Sequence, residues 1–266
     1  MAYQLSLDDL AGSVKRVGRE QLGGAADGLE APDDPVEAVH DARKRLKKTR
    51  SLLRLARPAM RADAFRARNR ELRDQGRALS GARDAEVLGE TLDLLAEHNT
   101  RRVKRAHFMA VRGRFVTAAG GAVPEQRVDA LARGVSRWPL GDISAKTLLD
   151  ALTTTYRRGR KAYAKPATDE NLHEWRKRVK DLWYQARLLS LKPLARDAKK
   201  LSKLLGDDHD LAVLSAELPK SDPLQALISD RRAELRKQAR KRGKRLYEDS
   251  PKAFRKRVRG RLRAVA

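Results

Sequence analysis

An eight-residue motif occurs twice in this chain. His40-Asp-Ala-Arg-Lys-Arg-Leu-Lys47 returns as His173-Glu-Trp-Arg-Lys-Arg-Val-Lys180, at an offset of 173 − 40 = 133, half of the 266 residues. A second pair follows in the same order. The run from Leu79 to Leu88 (LSGARDAEVL) matches the run from Leu204 to Leu214 (LLGDDHDLAVL) with one inserted residue, which aligns Arg83-Asp84 with His209-Asp210. A weaker echo sets Arg101-Arg102 and Gly113 against Arg231-Arg232 and Gly243. Ordered matches at similar offsets read as an internal duplication. The expectation is one domain over 1–266, made of half-repeats at about 1–135 and about 142–266 and joined near 119–142.

Each half is patterned for helices. Apolar residues recur at i, i+3, i+4 and i+7 through Leu/Ala/Arg/Lys-rich segments, and few stretches alternate as strands do. Gly and Pro punctuate these segments at Gly23-Gly24, Pro32, Pro35, Pro58, Gly120-Gly121, Pro124, Pro139, Pro166, Pro193, Pro219 and Pro223. The spacing predicts helices over about 6–22, 35–57, 60–80, 83–97, 98–118, 124–136, 143–164, 169–190, 193–205, 209–217, 222–248 and 251–264. Asp33 or Asp34 ahead of Pro35 is a helix start with proline in the first turn, and Thr168-Asp-Glu is another. An all-α fold of two pseudo-symmetric helical bundles follows.

The duplicated motif sets charge on one face. At about 100° per residue, Arg43, Lys44, Lys47 and Arg54 fall within about 60° of His40, whereas Val39, Ala42, Leu46 and Leu53 form the opposing core stripe. From His173 the same places are taken by Arg176, Lys177, Lys180 and Arg187, with Tyr184 among them; Leu172, Trp175, Val179 and Ala186 form the core stripe. The next segment of each half carries a basic file spaced 4, 3 and 4: Arg66, Arg70, Arg73 and Arg77, then Lys192, Arg196, Lys199 and Lys203. Like charges at i, i+4 cost a few tenths of a kcal/mol per pair. Two such files facing one basic pore or groove would cost more, and a bound polyanion would remove that cost.

Composition points the same way. Sixty Lys and Arg against 35 Asp and Glu leave a net charge of +25, far above the roughly 2–8 charges that solubility asks of a small domain. The partners this favours are phosphate polymers, nucleic acid backbone or anionic lipid. Aromatics make up only 5% of residues, which argues against reading nucleobases by stacking and leaves phosphate reading open. With no cysteine, a disulfide scaffold, a Cys-ligated zinc site and a thiol nucleophile are excluded. No apolar run reaches the roughly 18–20 residues of a membrane span, and MAYQLSLDDL lacks the basic and apolar regions of a secretory signal, so a cytoplasmic location is expected.

The two histidine motifs with their basic files, together with Arg83-Asp84 and Gly206-Asp-Asp-His209-Asp210, resemble the CHAD family, the conserved histidine α-helical domain. The resemblance runs over essentially the whole chain. It implies two pseudo-symmetric bundles around a basic pore or groove, binding of long-chain inorganic polyphosphate, and association with polyphosphate granules. Some members are fused to a triphosphatase domain with a Glu-x-Glu-x-Lys signature; this sequence lacks that signature, so a stand-alone member is implied. The family histidines fall on His40, His173 and His209, and the basic positions on those named above. Arg83 stands where symmetry would place a partner of His209, so the two halves are chemically unequal.

Three other readings compete. His40-Asp41, His173 and His209-Asp210 invite a metal phosphohydrolase, but histidines heading cationic stripes repel a metal ion, so no metal is expected; Asp84 and Asp210 more plausibly cap a helix or hold an arginine. There is no phosphate-binding Gly-x-x-x-x-Gly-Lys-Ser/Thr loop and no Gly-x-Ser-x-Gly elbow, so no enzyme and no cofactor is expected. Backbone-reading nucleic-acid binding is the alternative function, with Lys252–Arg263 as a basic arm. The same segment could lie on a membrane surface with Phe254, Val258 and Leu262 on one face.

Overall fold

A computed structural model of the chain describes residues 3–30, 32–79, 84–98, 102–116 and 127–263. Among these residues the fold is all-α, with eleven helices and no strand. They are α1 (Leu10–Glu30), α2 (Pro35–Ala56), α3 (Ala62–Ala78), α4 (Asp84–Glu97), α5 (Arg105–Val116), α6 (Val128–Gly134), α7 (Ala145–Tyr163), α8 (Asp169–Leu188), α9 (Lys192–Glu217), α10 (Leu224–Leu246) and α11 (Pro251–Arg263).

The helices that matter most start where local chemistry places them. Asp34 sits in extended conformation and its carboxylate accepts from Val36 N (2.9 Å) and Glu37 N (3.1 Å), with Pro35 as the first helical residue of α2. Thr168 does the same for α8, its hydroxyl accepting from Asn171 N at 3.3 Å ahead of Asp169 and Glu170. Ser144 and Thr147 form a reciprocal cap on α7.

Three boundaries depart from the periodicity, one of them the start of α5, which lies at Arg105 and not near 98. The predicted stop at Gly23-Gly24 does not occur; α1 begins later, at Leu10, and continues to Glu30. Gly24 faces α2, where a Cβ would meet Arg45 Nη1 at 2.6 Å, and beyond it Ala25 and Leu29 are buried. Their burial outweighs the roughly 1 kcal/mol that each helical glycine costs. The predicted break between 205 and 209 is also absent, and α9 runs unbroken from Lys192 to Glu217. Gly206 is buried there, and the buried Asp208 accepts from Arg232 Nε (3.2 Å) and Arg236 Nε (2.9 Å) of α10, so the polar run is anchored inside the helix.

Packing places α2 and α8 at the centre. α1 lies on α2 and α6 on α1; α7 lies on α8 and α11 on α7; α2 meets α7 and α8. α9 packs between α8 and α10 and also meets α4, which pairs with α5. The main core runs through α1, α2, α7, α8 and the first half of α9, with Trp175, Tyr156 and Phe254 among its fully buried side chains. A second cluster holds α4, α5, the end of α9 and α10 together through Leu92, Phe108, Val111, Leu214 and Ile228. The core stripes read from the two motifs are buried as predicted, from Val39 to Leu53 and from Leu172 to Ala186. The apolar face of α11 is not available to a membrane: Phe254 stacks on Tyr156 at 3.8 Å, and Val258 and Leu262 are buried with it. Among the described residues no helix is long and apolar enough to cross a membrane.

Candidate functional site

The α2 and α8 helices touch in their second halves. Ser51 donates to the Asp181 carbonyl at 3.2 Å, and Arg54 Nη1 donates to the nearly buried Asp181 carboxylate at 2.8 Å. On one side of this contact the two helices diverge around a cavity of about 430 Å³, closed by α4 and α9. From α2 it takes His40, Arg43, Lys44 and Lys47; from α8 it takes Arg176, Lys180, Trp183 and Tyr184. His209, Asp210, Val213 and Glu217 come from α9, and Val87 and Leu88 from α4. The lining has five cations against two carboxylates.

The acid that follows each histidine has a matching job in both motifs. Asp41 accepts from Lys44 Nζ at 2.9 Å and Arg45 Nε at 2.5 Å. Glu174 accepts from Lys177 Nζ at 2.6 Å and Arg178 Nη2 at 3.3 Å. Partial burial would raise the Asp41 carboxyl, but hydrogen bonds from Lys44 and Arg45 outweigh it and hold the group at about 2. Glu174 is held down chiefly by its bond from Lys177. The acids thus stiffen part of each file, and the cations nearer the cavity, Arg43 and Lys47 or Arg176 and Lys180, face it with the histidines.

The His173 and His209 rings lie 4.6 Å apart, tilted by 35°. Burial, followed by Lys177, His209 and Arg176, lowers the His173 pKa; burial and then Arg176 lower that of His209. Both imidazoles are therefore neutral near pH 7, each with one N–H to donate. Among the described residues, His173 Nδ1 and Arg176 Nε are buried without a hydrogen-bond partner. Arg176 Nη2 lies 4.0 Å from Asp210, which fits the reading of that aspartate as an arginine holder. Burial pushes the Tyr184 hydroxyl up to about 12, which keeps it a donor; its ring stacks on Trp183 at 4.7 Å.

Of the residues singled out in the sequence, His40, Arg43, Lys44, Lys47, Arg176, Lys180, Tyr184 and His209 line this cavity, and His173 backs it. The others go elsewhere. Lys177 is exposed on Glu174. Arg54 is taken by Asp181, and Arg187 lies over the Tyr3 ring at 5.3 Å. Arg66, Arg70 and Arg77 are exposed on α3, and Arg73 pairs with the adjacent Asp74 at 2.8 Å. α3 buries only Leu72, so its basic file meets solvent rather than the cavity. Lys192, Arg196 and Lys199 are exposed on α9, and Lys203 borders a neighbouring cavity between α4, α9 and α10. Arg83 lies outside the described residues. Sequence reasoning passed over Trp183 and the valines. The valines carried a signal, because Val87 and Val213 occupy the same place in the second repeated run. No group of three or more His, Asp or Glu side chains able to hold a metal ion occurs among the described residues.

Fold and site together define an all-α domain in which two central helices present histidine-headed basic faces to one cavity. Residues 18–219 match the model of the CHAD domain, and the chain belongs to that family. An uncharacterized protein of Mycobacterium tuberculosis, matched in two strains, is 34% identical over 205 residues. The match takes in 68% of this chain and 39% of that protein, so the chain spans about two-fifths of the length of these relatives. Among solved structures, PptA from Streptomyces chartreusis has a TM-score of 0.61 at 17% identity, covering 90% of this chain and 99% of that one. The crystal structure of the CHAD domain from the plant Ricinus communis has a TM-score of 0.57 at 19% identity, covering 99% and 94%. Both likenesses are of fold.

Proposed function

We propose that the chain binds long-chain inorganic polyphosphate in the α2–α8 cavity, without catalysing its turnover, and that it does so at polyphosphate granules. One observation carries this reading: the cations of two motifs 133 residues apart meet at a single cavity, with five cations against two carboxylates. Phosphoryl oxygens accept charge-assisted hydrogen bonds from Arg43, Lys47, Arg176 and Lys180, each contributing about 1.5–3 kcal/mol. The His40 and His209 rings and the Tyr184 hydroxyl add directional donors. The site offers cations in place of a converged carboxylate set, which supports binding rather than phosphoryl hydrolysis.

Helix order supports two half-repeats. α1 on α2 with α6 behind corresponds to α7 on α8 with α11 behind, and α9 takes the places of both α3 and α4. Bound polyphosphate would then sit between two copies of one basic face.

A titration series in rising salt tests the reading. Binding should weaken steeply, each neutralised phosphate adding to the slope, and long chains should outbind pyrophosphate because several contacts act together. Binding that is insensitive to chain length would reject it. Nucleic acid binding is the second reading, favoured by the outer face of α11. There Lys252, Lys256 and Arg259 are exposed, and none is ion-paired among the described residues. Excess duplex DNA should displace polyphosphate readily under that reading and poorly under the first.

A further inference from the structure

On the other side of the α2–α8 contact lies a separate cavity of about 490 Å³, between the end of α2, α3, α7 and α8. Two carboxylates line it, both engaged: Asp181 holds Arg54 at 2.8 Å and Arg178 at 3.7 Å, and Asp150 holds Arg255 at 2.8 Å. Arg57 and Arg158 stand exposed at its rim. Neither has a carboxylate partner among the described residues; Arg57 instead lies over the Phe65 ring at 5.1 Å. Burial, then the like charges of Arg178 and Arg57, lower the Arg158 pKa, so these guanidiniums repel one another across the opening. Thr154 and Thr155 add hydroxyls to the α7 wall.

A second observation comes from the other half. At the offset of 133, Lys48 corresponds to Asp181 and Arg54 to Arg187. Between Lys48 and Arg187 the chain plugs its own crevice. The Tyr3 ring lies 5.6 Å from Lys48 Nζ and 5.3 Å from Arg187, and its hydroxyl donates to the Lys48 carbonyl at 3.0 Å. Leu5 N–H then donates to the Leu188 carbonyl at 2.8 Å. The segment entering the second half makes a different backbone bond, Gly141 N–H to the Ala59 carbonyl at 2.8 Å. Its aromatic residue, Trp138, turns away to Gly18 of α1. The cavity beside the Arg54–Asp181 ion pair has no such plug among the residues that line it, and its rim holds arginines without a carboxylate partner.

We infer that this second cavity is a site for a compact phosphoryl oxyanion on a free small molecule, with Arg57 and Arg158 closing on it from the rim and the threonine hydroxyls donating from the wall. It stands apart from the α2–α8 groove and does not rest on the polyphosphate reading.

Pyrophosphate is the probe, titrated calorimetrically into the full chain. Three variants are compared: the groove variant K47E/K180E, the rim variant R57Q/R158Q, and all four changes together. The groove variant should still bind one pyrophosphate per chain. Adding the rim changes should weaken that binding by about tenfold per guanidinium lost. The rim variant alone should keep long-chain polyphosphate binding. Both rim arginines are exposed and free of ion pairs, so helical content should not change; Thr154→Trp, which fills the cavity instead, should show the same loss. If K47E/K180E alone abolishes pyrophosphate binding, or if the rim changes leave it unaltered in that background, the cavity is not an anion site. Failure of the groove reading would show differently, as undiminished long-chain binding by K47E/K180E.

Discussion

Reversing Lys47 and Lys180 together separates a built site from a generally basic surface. The two residues hold the same place in the two motifs, and both line the α2–α8 cavity. Loss of two charge-assisted contacts at about 1.5–3 kcal/mol each costs about 3–6 kcal/mol, before the new carboxylates repel the ligand. At about 1.4 kcal/mol per tenfold change, the polyphosphate Kd should rise at least about 100-fold. The control is Arg66→Glu with Arg70→Glu on the solvent face of α3. Both doubles lower the net charge from +25 to +25 − 4 = +21, so long-range attraction falls alike in the two proteins. Only the first alters the cavity. Anisotropy of end-labelled long-chain polyphosphate, read across a salt series, should show the large loss for K47E/K180E alone. Its salt slope should also flatten by about 1.4–1.8, two contacts at roughly 0.7–0.9 each. Circular dichroism checks that both doubles keep their helices. Equal weakening in the two doubles would refute the site and leave only diffuse charge.

Further outcomes follow from the same geometry. Burial depresses the His173 and His209 pKa values, whereas a bound polyanion favours the protonated rings. Polyphosphate binding should therefore take up protons and tighten between about pH 8 and about pH 6, seen as buffer-dependent heats in calorimetry; H173Q/H209Q should reduce that dependence. Without ligand the sign reverses. The unfolded rings bind protons where the folded rings do not, so chemical denaturation should show stability falling as pH drops below the ordinary imidazole value of about 6.5. Arg54→Ala strips the 2.8 Å partner from the nearly buried Asp181 and should cost about 3 kcal/mol in urea melts; Arg66→Ala, exposed on α3, should cost little. Gly243→Ala would drive a Cβ to 2.7 Å from Trp175 and 2.8 Å from Tyr163, costing about 1–3 kcal/mol and lowering Tm by several degrees.

How much of this was legible in the sequence differs between helices. For α2 and α8, periodicity placed the core stripe correctly and, by subtraction, the basic face. The same arithmetic put equally regular files on α3 and on the start of α9, yet those face solvent. Period gives a residue's angle about its own helix and carries no information on which neighbour, if any, meets the far side. Arg54 and Arg187 make the point at single-residue scale: they hold one register position, but Asp181 captures the first and the Tyr3 ring receives the second. Glycine signals misled in α1 and α9, because tertiary packing there supplied more than local propensity took away.

The sequence alone determined that the chain is helical, that it carries a net charge of +25, and that one histidine-headed basic face is written twice. These are local properties, set by side chains within a few turns of one another. Only the tertiary structure decided that α2 and α8 lie against each other at Ser51 and Asp181, so that the two faces open onto one cavity while a second crevice is left unplugged. That choice rests on contacts between residues some 130 positions apart, which no local pattern records.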